Sequence, residues 1–158
     1  MEVERHTAPD GAVQLVGRHD GYLSRFGYMH ERRLRLVADG SRLEGEDRLI
    51  TLGGDRPERS PTALLRFHLH PGVEAQPTED GRGVLLRVAR TDEATRWRFT
   101  CTGAGLDAFG PSGVAIEDSV YFADADGRRA TRQIVVSPSL TPGGEPAPVS
   151  WSFERLAG

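Results

Sequence analysis

Lysine is absent from this chain: all 20 of its basic residues are arginine, set against 23 acidic residues for a net charge of −3. That balance excludes the strongly basic surface expected of a nucleic-acid-binding domain. Hydrophobic residues at 37% and charged residues at 27% also exclude disorder by composition. The arginine-only usage is more economically explained by genome composition than by selection, although an arginine lying in a groove can grip carboxylates or sulfates bidentately. Cysteine occurs once, as Cys101, which excludes an intramolecular disulfide, and no Cys/His zinc-ligand spacing surrounds it. No apolar run approaches the roughly 20 residues of a membrane-spanning helix. The N-terminal run MEVERHTAPDG is too charged for the apolar region of a signal peptide, so neither a membrane partner nor secretion of the chain as written is expected. GxSxG, P-loop, GxGxxG and HExxH patterns are all missing, so hydrolase, nucleotide-enzyme and zincin readings have no anchor. No segment carries a sustained 3.6-residue apolar period, so long amphipathic helices are not expected.

What is present is short apolar alternation punctuated by turns. Asp-Gly recurs at Asp10-Gly11, Asp20-Gly21, Asp39-Gly40, Asp80-Gly81 and Asp126-Gly127. Between alternating runs it is a strong hairpin signal, because type I′ turns need φ > 0 at both central residues. The expected strands are Met1 to His6, Ala12 to Val16, Tyr28 to Val37, Arg42 to Leu49, Ala63 to His70, Val84 to Arg90, Arg96 to Thr102, Val114 to Phe122, Thr131 to Val136 and Val149 to Arg155. Leu34 and Leu36 alternate with Arg33 and Arg35, Trp97 with Arg98, and Trp151 and Phe153 share a face, as period-2 strands require. At 158 residues the chain fits one domain, which should bury roughly two-thirds of its unfolded surface. The expectation is a single all-β domain over residues 1–158, an antiparallel β-sandwich of about ten short strands, with a closed barrel as the competing architecture.

The stretch RHDGYLSRFGYMHERRLRLVADGSRLEGEDRL, Arg18 to Leu49, is the most unusual, with an Asp-Gly turn expected at Asp20-Gly21 inside a His- and Arg-lined meander. His19, Asp20 and Tyr22 have the chemistry of an acid/base set, since a carboxylate can orient an imidazole and a phenol can carry a proton. The competing reading is structural: Asp20 and Gly21 shape the turn, Tyr22 packs and His19 bonds to backbone. His68 and His70, at i and i+2 of one expected strand, are the candidate ligands for a divalent metal, with Asp47, Glu46 or His30 as the third ligand if the strands adjoin. Against this, two histidines on a solvated strand face are ordinary surface residues. No cofactor is otherwise indicated.

The succession HDGY…RFG…H, GED, FHLHP, WRFTCTG, IEDSVYF, RRATRQIVV and VSWSFERL resembles, in order and over nearly the whole chain, the C-terminal β-sandwich region of bacterial heparinase II/III-like proteins. The resemblance implies a polysaccharide lyase setting, in which an N-terminal helical toroid and a sandwich together eliminate across the bond next to a uronic acid. It also implies a periplasmic or extracellular location. The family's catalytic Tyr and Asn or Glu from the toroid, and its His-rich HGHAD-type segment, have no counterpart here, so no catalytic residue is carried over. The chain is expected to be the later part of a sandwich, inactive alone, partnered by a helical toroid domain and an acidic polysaccharide. His19, Tyr22 and Arg25 are the candidate substrate contacts. The alternatives are a stand-alone carbohydrate-binding module with Trp97, Trp151 or Tyr22 as its sugar platform, and a small enzyme built on His19, His68 and His70.

Overall fold

The computed structural model describes residues 1–52, 62–89, 94–103, 106, 113–123, 127–138 and 146–157. Among the described residues, eleven strands and one helical turn follow one another: β1 (Glu2–Thr7), β2 (Val13–His19), α1 (Leu23–Phe26), β3 (Tyr28–Leu36), β4 (Arg42–Thr51), β5 (Leu65–His68), β6 (Val73–Pro77), β7 (Gly83–Val88), β8 (Thr95–Gly103), β9 (Gly113–Ala123), β10 (Gly127–Ser137) and β11 (Val149–Arg155). Two antiparallel sheets form a sandwich. The larger has the order β1-β2-β3-β4-β11-β8-β7-β6, and the smaller has the order β5-β10-β9. The chain's final strand therefore sits mid-sheet, hydrogen-bonded to β4 on one side and β8 on the other.

The alternation read from the sequence sets which residues meet between the sheets. Val84 and Leu86 of β7, Phe99 of β8, and Val149 and Trp151 of β11 point inward and meet Ile134 and Val136 of β10. Trp97, Phe153, Phe67 and Leu34 pack around them. Phe67 lies 4.8 Å from Trp151 and 5.1 Å from Phe99, centroid to centroid, in tilted or edge-on arrangements that suit the ring quadrupoles. The outward face of β3 and its neighbours carries ions instead. Glu31, only 2% exposed, accepts from Arg18 Nε at 2.6 Å and from Arg33 Nε at 2.8 Å.

Three Asp-Gly turns share one device. The Asp10, Asp39 and Asp80 carboxylates accept the backbone N–H two residues on, at Ala12, Ser41 and Arg82, and Gly11, Gly40 and Gly81 follow at φ of +81°, +68° and +65°. Only the glycines have positive φ among the described residues, so these are not type I′ turns; the glycine alone takes the left-handed position. Asp20-Gly21 departs further from expectation. It forms no hairpin turn, and the chain enters α1, which Gly27 terminates at φ +73° with its N–H donating to the Leu23 carbonyl. The glycine that the meander needs is thus Gly27. Two further expectations are corrected: β5 ends at His68 and leaves His70 outside any strand, and Val73–Pro77 is an unanticipated strand. In the latter, Val73 and Ala75 alternate only weakly with Glu74 and Gln76, and a terminal proline sits on the sheet's edge, where a missing donor costs nothing.

Candidate functional site

A cleft of about 480 Å³ opens between the sheets beside α1, lined among others by His19, Tyr22, His30, Arg32, Asp47 and Leu65. Local register assembles it. His19 ends β2 directly opposite His30 of β3, and Asp47 of β4 lies diagonal to His30, whose direct partner is Leu49. Three side chains and one backbone group then form a continuous hydrogen-bonded chain. His30 Nε2 meets Asp47 Oδ1 at 2.6 Å, His19 Nε2 meets His30 Nδ1 at 3.0 Å, and the Gly21 N–H donates to His19 Nδ1 at 3.2 Å. Asp47 also accepts from Arg32 Nε at 2.8 Å and Nη2 at 3.1 Å, and from Trp151 Nε1 at 2.8 Å.

The Gly21 amide fixes the direction of every proton in that chain. A backbone N–H can only donate, so neutral His19 must accept at Nδ1 and carry its proton on Nε2. That proton is donated to His30 Nδ1, and His30 in turn donates Nε2–H to Asp47. All donors and acceptors are satisfied with both imidazoles neutral. Burial alone would push the Asp47 carboxyl up, but the hydrogen bonds from His30, Arg32 and Trp151, together with the Arg32 charge, outweigh it and hold it below the usual carboxylate range.

The same tautomer logic argues against a metal between the two imidazoles. A ligating nitrogen needs its lone pair free, with the ring's other nitrogen protonated and donating. His30 meets that condition at Nδ1. His19 does not, because its Nδ1 faces a donor and its proton therefore occupies Nε2. No group of three or more metal-ligating side chains occurs among the described residues.

His68 and His70, the candidate metal pair, turn to different partners. His68 Nδ1 lies 2.8 Å from Ser119 Oγ, whereas His70 Nδ1 accepts the Gly72 N–H at 3.1 Å and its ring stands edge-on to Tyr121. A site joining His19 with His68 and His70 has no basis, since only His19 lines the cleft. Of the candidate substrate contacts, His19 and Tyr22 are brought together, with ring centroids 5.1 Å apart and Tyr22 45% exposed. Arg25 is exposed on α1 with its guanidinium over Phe26, and it does not line the cleft. The tryptophans cannot serve as a sugar platform: Trp151 is 6% exposed and Trp97 packs against the core. Cys101 is equally withdrawn, burial pushing its thiol up to about 12.

Sequence reasoning placed His30 and Asp47 only as spare ligands for His68 and His70, and missed their link to His19. What was missing was register: His19 is the last residue of β2 and His30 the third of β3, and they come face to face only in the observed β2–β3 pairing.

The two sheets and this inter-sheet cleft define an antiparallel β-sandwich domain. The chain belongs to the family described as heparinase II/III-like, C-terminal, whose model matches residues 1–152. Among curated proteins, 92 residues, or 55% of the chain, are 40% identical to FtsZ-localized protein C of Caulobacter vibrioides, of which they cover 16%. Among solved structures, heparinase III superposes with a TM-score of 0.67 at 12% identity, covering 99% of this chain and 21% of that one. A heparinase III with methylated lysines gives 0.60 at 14% identity, covering 98% and 21%. At such identities the likeness is one of fold, and the chain spans about a fifth or less of the length of each of these relatives.

Proposed function

We propose that this domain is the non-catalytic sandwich of a protein that acts on uronic-acid-containing polysaccharide, and that its cleft holds one acidic sugar of the chain. A helical domain of the same protein would carry the elimination chemistry, with the pair working in the periplasm or outside the cell. One observation carries the reading: a half-exposed guanidinium and an exposed aromatic ring line the same cleft. The Arg32 side chain is 38% exposed, and among the described residues Asp47 takes two of its five N–H donors, leaving the rest of the fork for a carboxylate or sulfate. Tyr22 offers an amphipathic ring against which a sugar face can lie.

Titration of the purified chain with a glucuronate-containing oligosaccharide tests this against a neutral oligosaccharide of equal length. The acidic ligand should bind in preference, and Tyr22→Ala should weaken it at least about tenfold, a loss of roughly 1.4 kcal/mol. Equal affinity for the two ligands would sink the proposal.

The 40% identity to FtsZ-localized protein C favours a second reading, in which the sandwich is a protein-docking unit in a division-associated protein. Co-sedimentation of the chain with FtsZ polymers, together with indifference to the oligosaccharides, would put that reading first.

A further inference from the structure

The hydrogen-bonded chain running from Gly21 to Asp47 has a property that the glycan reading does not require. In its neutral form it is complete, and it has one place where a further proton can enter. Among the described residues, the charged and titratable groups that line the cleft beside the two imidazoles are Tyr22 from the β2–β3 connection, Tyr28 and Arg32 from β3, Asp47 and Arg48 from β4, and Arg66 from β5; Asp20 adjoins His19 in the chain, and the neutral Trp151 of β11 donates to Asp47. Most of the fixed charge among them is already paired. Arg32 is matched by Asp47, Arg48 by Glu46 and Arg66 by Glu117. An anion entering the cleft thus meets a nearly compensated site, and the charge nearest at hand to balance it is a proton on the imidazole pair.

We propose that this cleft binds anions with coupled uptake of one proton, which enters at His19 Nδ1 and whose charge comes to rest on His30 against Asp47. The transfer balances. A proton from water forms an N–H bond at His19 Nδ1, and the Gly21 N–H loses its acceptor. The existing His19 Nε2–H bond breaks as its proton crosses the hydrogen bond, whose two nitrogens are 3.0 Å apart, to His30 Nδ1, leaving His19 neutral with its proton now on Nδ1. His30 becomes an imidazolium that donates from Nε2 to Asp47 and from Nδ1 to His19. His30 is thus a positioning residue, the store of charge, and His19 is the entry point. The crowding at Gly21 fits this role: a Cβ there would lie 3.1 Å from His19 Nδ1, so the backbone and the ring are held together at the gate.

By linkage, a site that takes up a proton on binding loses affinity as pH rises. This inference rests on the glycan reading for its ligand, and the test separates the two. Calorimetric titration with a glucuronate-containing disaccharide, in buffers of different ionisation enthalpy at several pH values between about 5 and 8, should show net uptake of up to one proton per ligand bound. Affinity should fall by up to about tenfold per pH unit across that range. His30→Phe should abolish the uptake and, with it, the pH dependence of whatever affinity remains. Nitrogen-15 NMR of the free chain, which needs no variant, should show both His19 and His30 protonated on Nε2 at the alkaline end. Binding without proton uptake, or His19 protonated on Nδ1 at the alkaline end, overturns the inference and leaves the glycan reading standing. Failure to bind at any pH, with both tautomers as stated, overturns the glycan reading and the coupling with it.

Discussion

Gly45 shows how much of this site rests on a missing side chain. The Trp151 indole lies flat on β4 at that residue, and a Cβ built there would come within 2.1 Å of Trp151 Cζ2. Only with the ring in that place can Nε1 reach Asp47. Gly45→Ala is therefore expected to destabilise by about 3 kcal/mol, toward the upper end of the usual cost of overpacking, whereas Gly40→Ala, with open space around it, should cost about 1 kcal/mol for its left-handed backbone alone. Denaturant titration of the two variants compares them directly, and near-equal midpoints would contradict the packing argument. Asp47 gives a second expectation, in pH. Its carboxyl is held below its unfolded value, so the stability it contributes is fully present above the ordinary carboxylate range and is lost as pH falls from about 4 through the lowered folded value. Glu31, pulled down by Arg18 and Arg33 against its own burial, adds to the same acid limb. Asp47→Asn should flatten that limb while lowering stability at neutral pH by about 2 kcal/mol, since it leaves Arg32 without its counter-charge. A variant that loses stability on acidification as steeply as the parent would show that Asp47 is not a source of the slope.

Among the elements, α1 and its exit decide where β3 begins. A β-branched residue at Gly27 must adopt φ near +73°, so Gly27→Val is expected to cost at least about 1 kcal/mol, while Gly21→Ala, at an ordinary φ, should move the His19 ring and leave the melting temperature nearly unchanged. The reverse order of effects would return the organising turn to Asp20-Gly21. Nine of the ten strands expected from alternation appear within two or three residues of their expected ends, because a face that packs on Phe99, Ile134 or Trp151 writes itself into every second residue. The exception is β10, which begins at Gly127, four residues before the expected Thr131; β5 falls two residues short of Ala63 to His70 at each end, the later one where Pro71-Gly72 and the His70–Gly72 bond turn the chain out of the sheet. The histidine chain was not legible because it joins three strands. Pairing of β2 with β3 and of β3 with β4 had to be known before His19, His30 and Asp47 could be placed on one face, and the Asp20-Gly21 signal pointed to a tight turn where the chain instead enters α1. Local alternation sets which face a residue is on; which residues share a site depends on register.

For the molecule as a whole, the decisive question is whether these groups can perform an elimination unaided. Removing the C5 proton of a uronate requires a group that neutralises the carboxylate, a base for the proton and an acid for the leaving oxygen, all within reach of one sugar. In the cleft, Arg32 can address a carboxylate, but both ring nitrogens of His30 are engaged, and His19 Nδ1 is turned to the Gly21 amide. Tyr22 lies against the two imidazoles, ring to ring, and Tyr28, the other phenol lining the cleft, is buried, so among the described residues Tyr22 is the one exposed phenol there and base and acid lack two separate, exposed groups. Unsaturated uronate products absorb near the ultraviolet edge, so the expectation is direct: the purified chain, folded and all-β by circular dichroism, gives no steady absorbance rise on heparin, heparan sulfate or alginate beyond that of a boiled sample. A sustained rise that disappears in His19→Ala would make the histidine chain the catalytic base of a lyase complete in this sandwich. A flat trace together with proton-coupled binding of the glucuronate disaccharide would assign the sandwich the holding of the acidic sugar and leave the bond-breaking groups to another domain.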